Sequence, residues 1–481
     1  MQLVAYGAQD IYLTGKPQIT FFKTVYRRYT NFAVESIPQD VQSTPQFGGR
    51  VTLTIARNGD LLKKVWIEYS PYDLLAGLTS GPNPDCLNGK TVTIGANIGH
   101  AIIDYVDLEI GGQIIDRHYG KWLTIWNYLT EPNTSGEQGA IDQYCTGPGE
   151  YYNGVAPSSK GNININAGGT IYNPYTTYGD NATTETGPRT TRYNRMAYTH
   201  RAQTNVISNL GAPQLAWVPL QFWFCKNPGL ALPLIALQYH EVKLYINIAQ
   251  MLMVRTGTNV TGHEFDRFAM YADFVYLDTS ERRQMAQNAH EYLIDQVQIN
   301  ENIVDTNIKL SFNHPCKELI WAPVPLPVGI DVRYTTPQPN GAGLPARSAV
   351  IPGGATPNYG FTLSTSTIQN LYKLVLNGAE RFSARDITYF TRNQVWEAHT
   401  GFGSIIFPDS IAVYSFALRP EEYQPSGTCN FSRIDTAQLV RSTTFGNFGD
   451  TQPLPDVIDL YAVNFNLFRI NSGMGGVAYS N

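Results

Sequence analysis

The chain has 481 residues, too many for one ordinary hydrophobic core, so two domains are expected. Charged residues make up only 15%, while Tyr (30), Phe (21), Gly (42) and Pro (29) are abundant, a mixture that favours strands joined by turns over long helices. A net charge of -5 excludes the broad basic face of a protein that coats nucleic acid, and no direct nucleic-acid binding is expected.

The first residues, MQLVAYGAQDIYLTG, lack the basic start and apolar core of a signal peptide, and no stretch approaches the ~18 apolar residues of a membrane span. Residues 1–29 carry no alternating strand pattern and are expected to form an arm; Lys16, Lys23, Arg27 and Arg28 against Asp10 make it locally basic. A first domain is expected over 30–279. Within it, VDLEIGGQIIDRHYGKW (106–122) alternates in period 2 up to Ile110 and meets Gly111-Gly112, the composition of a tight hairpin turn. WLTIWNYL places Trp122, Ile125, Trp126 and Leu129 on one helical stripe.

Residues 131–200 are dense in Asn, Gly, Thr, Tyr and Pro without helical periodicity, as in a long surface loop. WVPLQFWFCKNPGLALP (217–233) is an apolar strand running into a Pro/Gly turn, and YADFVYLDTSERRQMA (271–286) an aromatic-rich strand. Asp278 with Glu281 three residues later marks a helix start, so a helix through ERRQMAQNAHEYL is expected to serve as the connector over 280–290.

The second domain, 291–481, repeats those features in the same order. KLVLNGAERFSARDITYF (373–390) matches the hairpin with Asn377-Gly378 at its turn, SIAVYSFALRPEEYQPSG (410–427) the strand and turn, and YAVNFNLFRINSGMGGVA (461–478) the aromatic strand. The first and second features lie about 95 residues apart in the first copy and about 20 in the second, so the first carries a large insertion. Residues 322–357 form a second Pro/Gly-rich loop.

Five dispersed cysteines with no CxxC pair suit a reducing compartment and no closed disulfide set, and His314 with Cys316 falls short of a metal site. No cofactor or metal is expected. The sequons at Asn133, Asn181, Asn259 and Asn430 are read as chance matches before glycan acceptors. An enzyme would have to use Asp104, Asp107 and Glu109, with Asp116, Arg117 and His118 nearby. The chain has no GxSxG, HExxH or P-loop motif, and those carboxylates are read as solvent-facing groups on a half-buried strand.

Whole phrases of the chain resemble the major capsid proteins of nucleocytoplasmic large DNA viruses: MQLVAYGAQDIYLTGKPQITFFKTVYRRYTNFA (1–33), IGGQIIDRHYGKWL (110–123), PLQFWFCKNPGLALPLIALQYHEVKL (219–244), LDTSERRQMAQNAHEYLIDQVQ (277–298), QPSGTCNFSRID (424–435) and NFNLFRINSGMGGVAYSN (464–481). The resemblance implies an all-β double jelly roll, two eight-stranded antiparallel barrels in tandem, with a few short helices and long surface loops. It implies a non-enzymatic virion protein, assembled in the host cytoplasm, whose homotrimers are pseudo-hexagonal capsomers of an icosahedral shell. The implied partners are neighbouring capsomers, minor capsid and penton proteins and, through the minor proteins, an inner membrane layer. The arm would lie on the inner side, and the 131–200 insertion would form much of an outer tower.

Overall fold

The computed structural model describes residues 7–69, 93–94, 98–131, 192–197, 203–204, 215–249, 255–256, 265, 267–303, 305–323, 368–401, 411–445 and 458–479. Sixteen principal strands fall into two sets of eight. The first set is β1 (Phe32–Gln39), β2 (Arg50–Thr54), β3 (Leu61–Tyr69), β4 (Ile103–Ile110), β5 (Gln113–Tyr119), β6 (Ala216–Pro219), β7 (Val242–Ile248) and β8 (Phe268–Leu277). The second is β9 (His290–Ile303), β10 (Asn307–Lys309), β11 (Pro315–Pro323), β12 (Ile368–Leu376), β13 (Ala379–Glu380), β14 (Ala412–Ser415), β15 (Ala437–Phe445) and β16 (Ile458–Asn471).

The pairing makes the duplication explicit. In the first set the sheets run β1-β8-β3-β6 and β2-β7-β4-β5; in the second they run β9-β16-β11-β14 and β10-β15-β12-β13, the same orders with eight added to every number. All these pairings are antiparallel, and none of the sheets mixes strands of the two sets. Even the short strands correspond: Leu232–Pro233 joins β3 and Cys429–Asn430 joins β11. Two facing four-stranded sheets with these crossovers are a jelly roll, and the chain holds two.

Alternation explains the cores. β7 reads VKLYINI, with Val242, Leu244, Ile246 and Ile248 buried and the residues between them half-buried. Both predicted hairpins close as expected: Gly111 and Gly112 have φ of 62° and 85°, Asn377 and Gly378 of 49° and 78°. Positive φ at both central positions matches the twist of the strands it joins.

Three expectations are corrected. The connector α2 spans Thr279–Gln287 and buries none of its residues; it stops short of HEYL because His290–Leu293 pairs along β16. The predicted loop at 322–357 begins later, since Ala322 and Pro323 complete β11 opposite Asp459 and Ile458, and the remainder lies outside the described residues. The 131–200 insertion also lies outside them, apart from Glu131 and the helix Arg192–Ala197. That helix is no surface loop. Ala197 is fully buried, and the Tyr193 hydroxyl sits 2.8 Å from His100 Nε2, whose other ring nitrogen meets Thr124 Oγ1 at 2.9 Å. Burial pushes the His100 imidazole down to about 3, so a neutral ring bridges the two hydroxyls.

Candidate assembly surfaces and the contact between barrels

The link between the barrels is built on α1 (Gly120–Thr130), which leaves β5 directly. The predicted stripe of four apolar residues is present, but the helix is buried on almost every face. Leu123 enters the first barrel's core. Trp122, Ile125, Trp126, Tyr128 and Leu129 instead form a separate apolar cluster with Ile320, Val413, Tyr461 and Val463 of the second barrel. Trp122 stacks on Trp126 and lies 5.2 Å from the Tyr461 ring, centroid to centroid. The helix is not apolar all round, since Thr124 and Asn127 are buried with the apolar stripe, and it is the two barrels together that enclose it.

Polar contacts frame this cluster. Lys121 Nζ lies 2.6 Å from Asp459 Oδ2 and 2.8 Å from Glu301 Oε1, both of the second barrel. Burial alone would lower the Lys121 pKa; the two carboxylates outweigh it and raise it. The Asp116 carboxylate accepts from the Val297 amide at 3.2 Å, and its other oxygen faces His118 Nε2 at 2.8 Å. At the far edge the Gly401 amide donates to the Leu129 carbonyl at 2.7 Å, closing the end of α1. A second contact joins the turn at 238–240 to the hairpin after β16: Tyr239 N donates to Gly473 O at 3.0 Å, and the Gly475 amide donates to His240 Nδ1 at 3.1 Å.

Beside the cluster lies a set of buried ionic groups that strand periodicity does not announce. His399 holds both ring nitrogens against carboxylates, Nε2 at 3.0 Å from Glu318 and Nδ1 at 2.9 Å from Glu421. Burial pulls its pKa down, but the two carboxylates prevail and hold it at about 9. Lys317, also buried, donates to Asp295 at 3.0 Å and to the Pro420 carbonyl at 3.1 Å. The one signal in the sequence is the pair Lys317-Glu318 inside the otherwise apolar strand CKELIWAP, since charges at a core strand survive only when paired.

Of the residues weighed for chemistry, Asp107, Asp116, Arg117 and His118 have structural partners. Asp107 is not solvent-facing: it is buried and receives a two-pronged contact from Arg117, Nε to Oδ1 at 2.5 Å and Nη2 to Oδ2 at 2.9 Å, and the Arg117 guanidinium caps the Tyr105 ring at 4.3 Å. That pair raises the Arg117 pKa, chiefly through its hydrogen bond to Asp107. Asp104 stays exposed, and burial of part of its side chain raises its pKa. His314 and Cys316 do not converge on a third ligand; the Cys316 thiol donates to the Glu318 carbonyl. Among the described residues no group of three His, Cys, Asp or Glu side chains is placed to hold a metal ion.

Asn430 is exposed, but its side-chain oxygen accepts the Ser432 amide at 3.1 Å and caps the 3-10 turn Phe431–Arg433, while the Ser432 hydroxyl accepts the His314 amide. This sequon has a local folding role. Asn133, Asn181 and Asn259 lie outside the described residues.

The exposed apolar surface is concentrated in the N-terminal segment. From residue 7 to 31 the chain forms only the short turns Ala8–Asp10 and Ile11–Thr14, and none of these residues is buried. Phe21 and Phe22 are 91% and 98% exposed, and Tyr12, Leu13, Tyr26 and Tyr29 nearly as much. Isolated exposed apolar residues are ordinary, whereas a run of this density has the character of an interaction surface. Where the segment enters β1, Phe32, Val34, Leu61, Val275, Leu277 and Met285 line a groove of about 760 Å³.

The molecule is thus a double jelly-roll protein whose distinctive features are contact surfaces. Comparison with known proteins agrees. The family described as major capsid protein N-terminus matches residues 20–278, and that described as large eukaryotic DNA virus major capsid protein matches 281–476. The major capsid protein of Pyramimonas orientalis virus is 39% identical over all of this chain and 99% of its own length, and that of Paramecium bursaria Chlorella virus 1 is 36% identical with the same coverage. Among solved structures, a chain of the PBCV-1 virus capsid matches with TM-score 0.62 and 31% identity over 96% of this chain and all of its own. The Faustovirus major capsid protein, at 13% identity and TM-score 0.57 over 97% and 94% of the two chains, shares the fold.

The chain belongs to the major capsid protein family of large eukaryotic DNA viruses. It is a structural component of the virion capsid and not an enzyme.

Proposed function

We propose that three copies of this chain form a pseudo-hexagonal capsomer, and that such capsomers tile an icosahedral shell. The observation that carries this reading is the repeated strand order: two barrels of one topology, fixed to each other through the buried α1, let a three-fold assembly present six barrels. A contact surface in so stable a unit buries more than roughly 2,000 Å², while contacts between capsomers are weaker individually and act together.

In this reading residues 1–29 are the inner arm, 30–279 the first jelly roll, 280–290 the connector and 291–481 the second jelly roll. The exposed apolar and basic side chains of the arm are suited to neighbouring capsomers and to minor capsid and penton proteins, and through the minor proteins to an inner membrane layer. The insertion at 131–200, apart from the packed helix Arg192–Ala197, forms much of the outer tower. Asn430, like Asn133, Asn181 and Asn259, is a chance sequon before a glycan acceptor. Assembly takes place in the host cytoplasm, and the net charge of -5 leaves genome contact to other proteins.

Light scattering coupled to size exclusion tests the central point. A stable species of three times the 53.5 kDa chain is expected. A monomer that persists at high concentration would overturn the trimer.

A further inference from the structure

Cys316, in β11, and Cys429, in the short strand Cys429–Asn430, are direct partners across an antiparallel pair, with Pro315 opposite Asn430 alongside them. Directly opposed residues present their side chains on one face of a sheet. Here that face is the second barrel's core: Cys316 is fully buried in it, and Cys429 packs against the same cluster from a half-buried position. Both are free thiols. Opposed residues of an antiparallel pair have Cα atoms about 4.5–5.5 Å apart, within the roughly 4.4–6.8 Å that a disulfide bridges. The Cys316 thiol donates only to the Glu318 carbonyl, a weak bond to surrender.

We propose that Cys316 and Cys429 are a latent cross-strand disulfide that closes when the folded protein meets a disulfide oxidant such as oxidised glutathione. Cys429, the more accessible thiol, gives its proton to water, and its thiolate attacks one sulfur of the oxidant. The oxidant's S–S bond breaks, its other half leaves as a thiolate and is protonated, and a mixed disulfide remains on Cys429. Cys316 then loses its proton and attacks the Cys429 sulfur, releasing the second half of the oxidant. Two protein thiols lose two electrons and two protons, and one external disulfide becomes two thiols.

The surroundings make the step slow and late. Burial raises both thiols, Cys316 well above the ordinary cysteine value, although Arg381 favours the Cys429 thiolate. The pair therefore stays reduced while the chain folds among cellular thiols. Once closed, the bridge rings the chain from β11 through β12, β13 and β14, including the long segment at 324–367, and restricts the unfolded state strongly because the loop is long. Closure of the bridge does not depend on how many copies make a capsomer.

The test incubates the purified full-length protein with oxidised glutathione or with a phosphine reductant, then counts thiols after denaturation and maps peptides without reduction. Two of the five cysteines should disappear from the thiol count. One crosslinked peptide pair, holding residues 316 and 429, should appear and be lost on reduction, and the melting temperature should rise by roughly 5–10 °C. Cys429→Ser should abolish all three changes; if that variant folds poorly, the peptide map of the unaltered chain decides alone. Five titratable thiols after prolonged oxidation, a crosslink between other cysteines, or glutathione held on Cys429 without release would each overturn the proposal.

Discussion

The Lys121 ammonium, at the start of α1, rests 2.6 Å from the Asp459 carboxylate on β16, so an ion pair with one wholly enclosed partner crosses from the first barrel to the second. Asp459 is 2% exposed and also accepts the Asn302 amide at 2.8 Å. Removing the cation strands a buried charge, which is far more destabilising than removing both members. Lys121→Met is expected to lower the unfolding free energy by about 2–4 kcal/mol. Adding Asp459→Asn, which keeps the acceptor for Asn302, should recover more than half of that. A urea-unfolding double-mutant cycle that includes Asp459→Asn alone measures it, and a double-variant loss equal to the sum of the two single losses would show that the pair is not coupled.

His399 sets the alkaline limit of the second barrel. Its pKa is about 9 in the folded protein, against an ordinary 6.5, so the folded state binds the proton more tightly than the unfolded chain. The resulting stabilisation is fully present below about pH 6.5 and is lost as pH rises through about 9, with a total on the order of 3 kcal/mol. Glu421 behaves oppositely: burial raises its pKa, His399 and Thr400 outweigh that and lower it, so its contribution fades on acidification. Thermal unfolding scanned from pH 6 to 10 should show a falling alkaline limb in the native protein. His399→Gln should be less stable at pH 6 and nearly flat across that range; an unchanged limb in this variant would assign the titration to another group.

The strands and their turns were legible because one physical signal, apolar alternation broken by Gly or Asn-Gly, specifies both. The turns of the two hairpins follow it. What alternation cannot report is which outward face meets another barrel. Trp122, Ile125 and Trp126 read correctly as a helical stripe, yet nothing local says that the rest of α1 is covered too. Buried charges escape for the same reason. Lys317 and Asp295, or His399 and Glu318, lie far apart along the chain, and only the folded barrels bring each pair together.

The two homologous hairpins offer an internal control. Gly111 and Gly378 both hold positive φ, so either change to Ala strains the turn by about 1 kcal/mol. Their surroundings differ. A Cβ on Gly378 meets nothing within 4 Å, whereas one on Gly111 would sit 2.2 Å from His240 Nδ1 and displace the ring that accepts the Gly475 amide. Gly378→Ala is therefore expected to lower stability by about 1 kcal/mol and Gly111→Ala by about 2–4 kcal/mol. Denaturant midpoints of the two variants, at unchanged slope, provide the comparison. Equal losses would mean that the 238–240 turn yields freely and contributes little to the link between barrels.

Deleting residues 1–30 separates folding from assembly. No residue described between 7 and 31 is buried, and the first barrel's pairing begins at Phe32 opposite Leu277. The truncated chain should therefore melt within about 2 °C of the full chain, since removing exposed groups that touch no core feature changes stability by only some tenths of a kcal/mol. It should also keep the trimer mass, because the arm is expected to reach beyond its own capsomer. Formation of higher assemblies, followed by sedimentation at increasing protein concentration, should fall steeply: the arm carries Phe21, Phe22 and Tyr26 on a locally basic segment, and their exposure is sustainable in a virion only where a neighbour covers them. A truncated protein that cannot fold would instead place the arm in the barrel's core, and one that assembles normally would leave those aromatic residues without a role in the shell.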